Sequence, residues 1–174
     1  MLFRSIEVVG HTDVTGALFW TMGVKFDNPV PRQTLMLDPQ YGTQFPDLFD
    51  TTIPLMSQRL IDAFHAVGVD NFDIYPMLLK RQDNGQEFEG YSAINLLGSI
   101  DAVDKASSPH RLRFGKPHFT GSITIDPART RGLETFRLTH GPDFIVVSER
   151  IAKHLQAGNF QALLIQPTTD FDGN

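Results

Sequence analysis

Two segments of this 174-residue chain match one another without a gap, 91 positions apart. Ser57 aligns with Ser148, Arg59 with Arg150, Leu60 with Ile151, Phe64 with Leu155, Ile74 with Ile165 and Pro76 with Pro167. The apolar residues just ahead match as well, Leu55 with Val146 and Met56 with Val147. Any helix followed by a strand shares a coarse pattern, so the matched Ser-x-Arg and the matched proline carry the comparison. Two copies are too few for a solenoid. The expectation is two equivalent strand–helix–strand elements within one core.

Each segment reads as a short amphipathic helix. In Ser57–Val67 the apolar residues Leu60, Ile61, Phe64 and Val67 fall at helical spacing, leaving Gln58, Asp62 and His65 outside. Ser57 is placed to cap the first turn, and Gly68 to stop the helix. Ser148–Ala157 repeats the arrangement, with Ser148 as cap, Ile151 and Leu155 inward and Gly158 as stop. Strands Phe72–Tyr75 and Ala162–Gln166 follow, each ending at a proline.

The rest of the chain reads as strands and turns. Ile6–Val9, Ala17–Phe26 and Gln33–Leu37 are rich in β-branched and aromatic residues and are separated by Gly10, Asn28-Pro29 and Pro31. Asp38–Asp50 reads as an irregular connector. Asp83-Asn84-Gly85 between Ile74–Gln82 and Glu87–Leu97 predicts a hairpin, because Asn-Gly tolerates the positive φ angles of a tight turn. Phe119–Ile125 alternates apolar and polar residues as a half-buried strand does, and Leu133–Leu138 is another, turned by His140-Gly141-Pro142. Ser107–Lys116 reads as an exposed loop and Thr168–Asn174 as a frayed tail. The fold class expected is α+β: a mainly antiparallel sheet with two short helices in a repeated strand–helix–strand element. A single domain over 1–174 is expected, with a strand-rich part at 1–50 and the repeat within 51–167.

Composition narrows the function classes. A chain of this length buries roughly 70% of the surface its unfolded form exposes, so one sizeable core is feasible. There is no cysteine, which excludes disulfides, thiolate metal sites and cysteine nucleophiles. The start, MLFRSIEVVGHTD, lacks the pattern of a signal peptide, and no stretch approaches the length of a membrane span. The cytoplasm is therefore the expected location. A formal charge of −5 argues against non-specific nucleic-acid binding and suits a basic partner; Arg111, Arg113 and Lys116 form the densest cationic group.

Chemistry-bearing motifs are sparse. No nucleophile elbow, phosphate-binding loop, dinucleotide fingerprint, HExxH or complete EF-hand loop occurs. His110 and His118, eight apart, could share a metal if a hairpin joined them, but a third ligand is not evident, and surface histidines are the simpler reading. His65 and His154 read as ordinary helix side chains. Asp101 and Asp104 would share a face at spacing i, i+3 if Ser99–Asp104 turned helical, as a candidate acid–base pair; the simpler reading is a turn cap and a solvated carboxylate. Arg59 and Arg150 could hold an anion, though their recurrence favours a structural ion pair. Asp170-Phe171-Asp172-Gly173 resembles the start of a calcium loop and lacks its remaining ligands. Trp20 and most of the 14 phenylalanines are assigned to the core.

Three strings carry a family resemblance: Asn95-Leu96-Leu97-Gly98-Ser99-Ile100-Asp101-Ala102-Val103-Asp104, Gly132-Leu133-Glu134-Thr135-Phe136-Arg137-Leu138, and Phe144-Ile145-Val146-Val147-Ser148-Glu149-Arg150. In order and spacing, from about Thr51 to Pro167, they resemble the eleventh numbered family of bacterial immunity proteins from polymorphic toxin systems. The resemblance implies a cytoplasmic protein, made beside a toxin, that protects its producer by binding the toxin domain. It brings over no catalytic, cofactor-binding or metal-binding residue. The expected partner is a cognate toxin protein, with no nucleic acid and no membrane, and the partner-binding face and oligomeric state stay unassigned. Two placements for that face are the first 50 residues, which match the family poorly, and the Ser107–Lys116 loop. Two other function classes stand beside this one. One is an enzyme reversing a toxin modification through Asp101 and Asp104; the other is a ligand-sensing module whose cleft lies between the repeated elements.

Overall fold

The computed structural model describes residues 2–5, 10–12, 20–27, 30, 32–41, 44–50 and 53–173. In chain order the strands are β1 (Leu2–Ser5), β2 (Gly10–Thr12), β3 (Gln33–Leu37), β4 (Leu48–Asp50) and β5 (Pro54–Ser57), then helix α1 (Gln58–Ala66). They continue with β6 (Phe72–Arg81), β7 (Glu87–Phe88), β8 (Tyr91–Leu96), β9 (Ser99–Ile100), β10 (His110–Arg113), β11 (Lys116–Phe119), β12 (Thr135–Leu138) and β13 (Gly141–Val147). Helix α2 (Glu149–Ala157) and β14 (Leu163–Gln166) complete the order. One sheet runs β14-β1-β13-β12-β9, a second β2-β3-β6-β8-β5-β4 with β7 on β6, and β10-β11 stand apart as a two-stranded sheet. The fold is α+β. The sheets are mixed, since β3–β6 and β9–β12 are parallel while the other named pairs are antiparallel.

The register extends the spacing seen in the sequence. In one sheet Ala93 lies between Leu55 and Tyr75, and in the other Leu2 lies between Val146 and Gln166. All three positions shift by the same 91 residues, but the central strand shifts in the opposite direction. Strand β8, from the second half of the chain, is thus set between β5 and β6 of the first half. Reciprocally, β1 from the first half is set between β13 and β14 of the second.

Both helices form for the reasons visible in their sequences. Ser57 and Ser148 sit in extended conformation and their hydroxyls accept from Leu60 N–H and Ile151 N–H, satisfying a donor that a first helical turn leaves free. Gly68, at φ +81, follows α1, where a side chain would be strained. The buried stripes Leu60, Ile61, Phe64 and Ile151, Ala152, Leu155 meet in one core with Leu48, Met56, Ile94, Ile145 and Val147. Each such fully buried large aliphatic or aromatic side chain contributes about 1.5–3 kcal/mol relative to an exposed one. A second cluster gathers Phe119, Ile123, Phe136 and Leu138, and a third Trp20, Leu35, Phe49 and Leu79.

Several expected elements differ. Ile6–Val9 lies outside the described residues, as does 17–19; the described part of Ala17–Phe26 is a short turn and irregular chain. It is held by Trp20, whose ring packs edge-on against Phe26 and Tyr75. The supposed connector Asp38–Asp50 contains strand β4. Strand β6 does not stop at Pro76. It pairs with β8 up to Pro76 and with β3 from Met77 onward, so the missing N–H falls where the partner changes. Of Phe119–Ile125 only Phe119 belongs to a strand, while Ile125 forms a lone bridge to Val103. The tail is not frayed at Phe171, which is buried against Phe144 with ring centroids 5.1 Å apart.

Candidate functional site

The two Ser-x-Arg motifs form matched clamps. In the first, Ser57 N–H donates to the Asp47 carbonyl at 2.9 Å, the Ser57 hydroxyl donates to Asp47 Oδ1, and Arg59 Nη2 donates to Asp47 Oδ2 at 2.6 Å. In the second, Ser148 N–H donates to the Glu134 carbonyl at 2.8 Å, its hydroxyl donates to Glu134 Oε1 at 2.8 Å, and Arg150 pairs with both Glu134 oxygens. Each arginine also reaches the end of the opposite helix: Arg59 to the Asn159 carbonyl at 3.4 Å, Arg150 to the Val67 carbonyl at 3.0 Å. A cation at a helix C terminus is electrostatically favourable, and here it ties the two halves together. Both guanidinium groups are engaged within the protein, so these motifs are structural ion pairs and not a free anion site.

The clamps differ in burial. The Asp47 side chain is 8% exposed and that of Glu134 43%. Burial pushes the Asp47 carboxyl up, but hydrogen bonds from Arg59, Ser57 and Gln161 N–H together outweigh it and hold the group below the ordinary value of 3.8. Beside it, burial pushes the Tyr91 phenol up to about 12, with the Asp47 charge adding to the effect.

The acid–base reading of Asp101 and Asp104 fails on geometry. Residues 101–104 are not helical, because Val103 is bridged to Ile125. Asp101 bonds Lys105 at 2.7 Å, whereas Asp104 accepts from Ser107 Oγ at 2.7 Å and Ala106 N–H at 3.0 Å. The Lys105 bond lowers the Asp101 pKa and the Ser107 bond lowers that of Asp104, so neither is poised as an acid. The repeated elements close on a shared core, and a depression of about 450 Å³ at the start of α2 is lined by Thr130, Glu134, Ser148, Glu149 and Thr168 among others, with Glu134 and Ser148 bonded to each other.

The Ser107–Lys116 segment is more ordered than a loop. From His110 it is the β10–β11 hairpin, closed by Phe114 at φ +51 and Gly115 at φ +74, a two-residue turn with both φ positive. Its base is fixed: Ser108 is buried and its hydroxyl accepts from Thr124 N–H at 3.0 Å, Thr120 N–H donates to the Pro109 carbonyl at 2.9 Å, and Phe119 enters the second core cluster. Cross-strand partners share a face and neighbours alternate. His110, Leu112, Pro117 and Phe119 therefore line one face, and Arg111, Arg113, Lys116 and His118 the other. The hairpin does form, yet it puts His110 and His118 on opposite faces, and His110 Nδ1 engages the Ser108 carbonyl at 2.9 Å. Among the described residues no group of three metal-ligating side chains assembles, there or near Asp170.

Comparison with known families supplies the remaining observation. The model of the Immunity protein family (Imm11) matches residues 16–169. The chain belongs to the Imm11 immunity protein family. The match begins well before Thr51, so most of the strand-rich N-terminal part is Imm11 sequence as well, including β3, β4 and the Asp47 carboxylate. It also spans the hairpin and both clamps. A search of curated proteins returns no match. Among the described residues of this Imm11 chain, no helix is long and apolar enough to cross a membrane.

The hairpin's sidedness was missed in the sequence because Pro109 and Gly115 suggested a loop. The alternation His-Arg-Leu-Arg, turned at Phe114-Gly115, is the signal that would have found it.

Proposed function

We propose that this protein neutralises a cognate bacterial toxin domain in the cytoplasm of the producing cell by forming a stoichiometric complex with it, without catalysing a reaction. The observation that carries this reading is the Imm11 match over residues 16–169. Two features of the site support it. The carboxylates considered for acid–base work are each engaged by a separate partner, and among the described residues the most exposed large hydrophobic side chains, Leu112 and Phe114, project on a hairpin whose base is fixed to the core. A rigid scaffold carrying an exposed apolar and charged element is what recognition of another protein requires.

Co-expression with the toxin encoded by the neighbouring gene tests the reading. Cells survive when this protein is made in at least equal amount, and Asp101→Asn protects as well as the wild type does. Protection at a small fraction of the toxin's amount, abolished by Asp101→Asn, would instead establish an enzyme.

A further inference from the structure

Beyond Phe119, which anchors it in the core, the β10–β11 hairpin departs from the rules that a merely structural hairpin obeys. Among the described residues it pairs with neither large sheet, and a lone two-stranded hairpin is marginal in water. Its first turn position, which favours Asn, Asp or Gly, holds Phe114 in a left-handed backbone conformation that disfavours bulky side chains. The ring placed there is 94% exposed, and Leu112 beside it is 71% exposed. Among the described residues Arg111, Arg113 and Lys116 form no ion pair, while the Arg113 guanidinium lies 5.8 Å from the Phe114 ring centroid. Strain, exposed aromatic surface and unpaired cations thus converge on one tip.

We propose that this hairpin is a finger that enters an acidic cleft of the toxin, with Phe114 and Leu112 against its apolar floor and Arg111, Arg113 and Lys116 on carboxylates of its wall. The inference rests on the toxin-binding reading and names the partner surface within it. Charge selects a protein over a polyanion. The whole chain carries −5, so setting aside the three hairpin cations leaves −8 on the remainder. A nucleic acid or an anionic membrane presents charge well beyond the hairpin and is repelled by that remainder, whereas a cleft presents a few local carboxylates. Aromatic and arginine anchors of this kind dominate protein interfaces. The expectation from net charge alone, a basic toxin, is thereby refined: the cleft that receives the finger is acidic whatever the toxin's total charge.

The test is calorimetric titration of the purified toxin domain with the full-length protein and three variants, with thermal unfolding measured on each. Phe114→Gly removes the ring and the backbone strain together. It should raise the unfolding midpoint while weakening toxin binding about 30-fold, opposite directions that a misfolded variant cannot produce. Phe114→Ala should weaken binding similarly, and Arg111→Glu with Arg113→Glu should weaken it about 100-fold or more with the midpoint held. Wild-type affinity in all three, with the wild type binding one to one, overturns the finger and leaves toxin binding standing. Loss of binding to an RNA oligomer or an anionic vesicle, with toxin binding intact, also overturns it. No complex and no protection by the wild type overturns both.

Discussion

The paired clamps and the hairpin obey opposite rules. At the clamps, chemistry and packing agree: a serine caps a helix, an arginine neutralises a carboxylate, and each arginine ties its own half of the chain to the other. At the hairpin they conflict, since a phenylalanine occupies a position suited to glycine and exposes its ring to water. Agreement across levels marks residues that specify the fold, and local conflict concentrates at functional sites. Clamp substitutions should therefore change stability at constant toxin affinity, and hairpin substitutions the reverse.

The largest stability effect is expected at Asp47. Asp47→Ala leaves Gln161 N–H and the Ser57 hydroxyl without their buried acceptor, and should cost about 3 kcal/mol in chemical denaturation. The same change at Glu134 should cost under about 1 kcal/mol, because that carboxylate is 43% exposed and water replaces its partners. Equal losses would show that burial does not distinguish the clamps. Neither variant should alter toxin affinity by more than about twofold once corrected for the folded fraction.

Acid sharpens the contrast. The folded-state pKa of Asp47 is depressed, so its stabilisation is complete above the ordinary value of 3.8 and is lost as pH falls through the lower folded value. The stability gap between the wild type and Asp47→Asn should be constant near neutrality and narrow below about pH 4. A gap that widens in acid would reverse the sign and refute the assignment. A smaller effect concerns the exchanged strands. Cleavage at a protease site placed in the Asp83-Asn84-Gly85 turn should leave both pieces in one particle on gel filtration, since each supplies the strand at the centre of the other's pairing. Separation of the pieces without denaturant would contradict that interlocking.

Much of the scaffold was legible because it is encoded locally. Ser57 and Gly68 bracket α1, Ser148 and Gly158 bracket α2, and Gln33–Leu37 is strand β3 as its composition predicts. The 91-residue offset was visible for Leu55–Pro76, where cap, arginine and proline supply distinctive chemistry. It was invisible for β1 and β8, which share only apolar character. Periodicity says that a strand is half buried and not which strand lies beside it, so the exchange between halves had to come from pairing. Pro76 misled for a related reason, because its missing N–H matters only where a partner strand needs it. The carboxylates of the clamps escaped notice since Asp47 and Glu134 lie at different distances ahead of their serines. The family motifs were legible, although their reach toward residue 16 was not.

The central claim is neutralisation by binding, and titrating the toxin domain's own activity with increasing amounts of this protein tests it most directly. Activity should fall in proportion to the protein added and vanish at one equivalent. Complete loss at a small fraction of an equivalent, or undiminished activity at several equivalents, would contradict it.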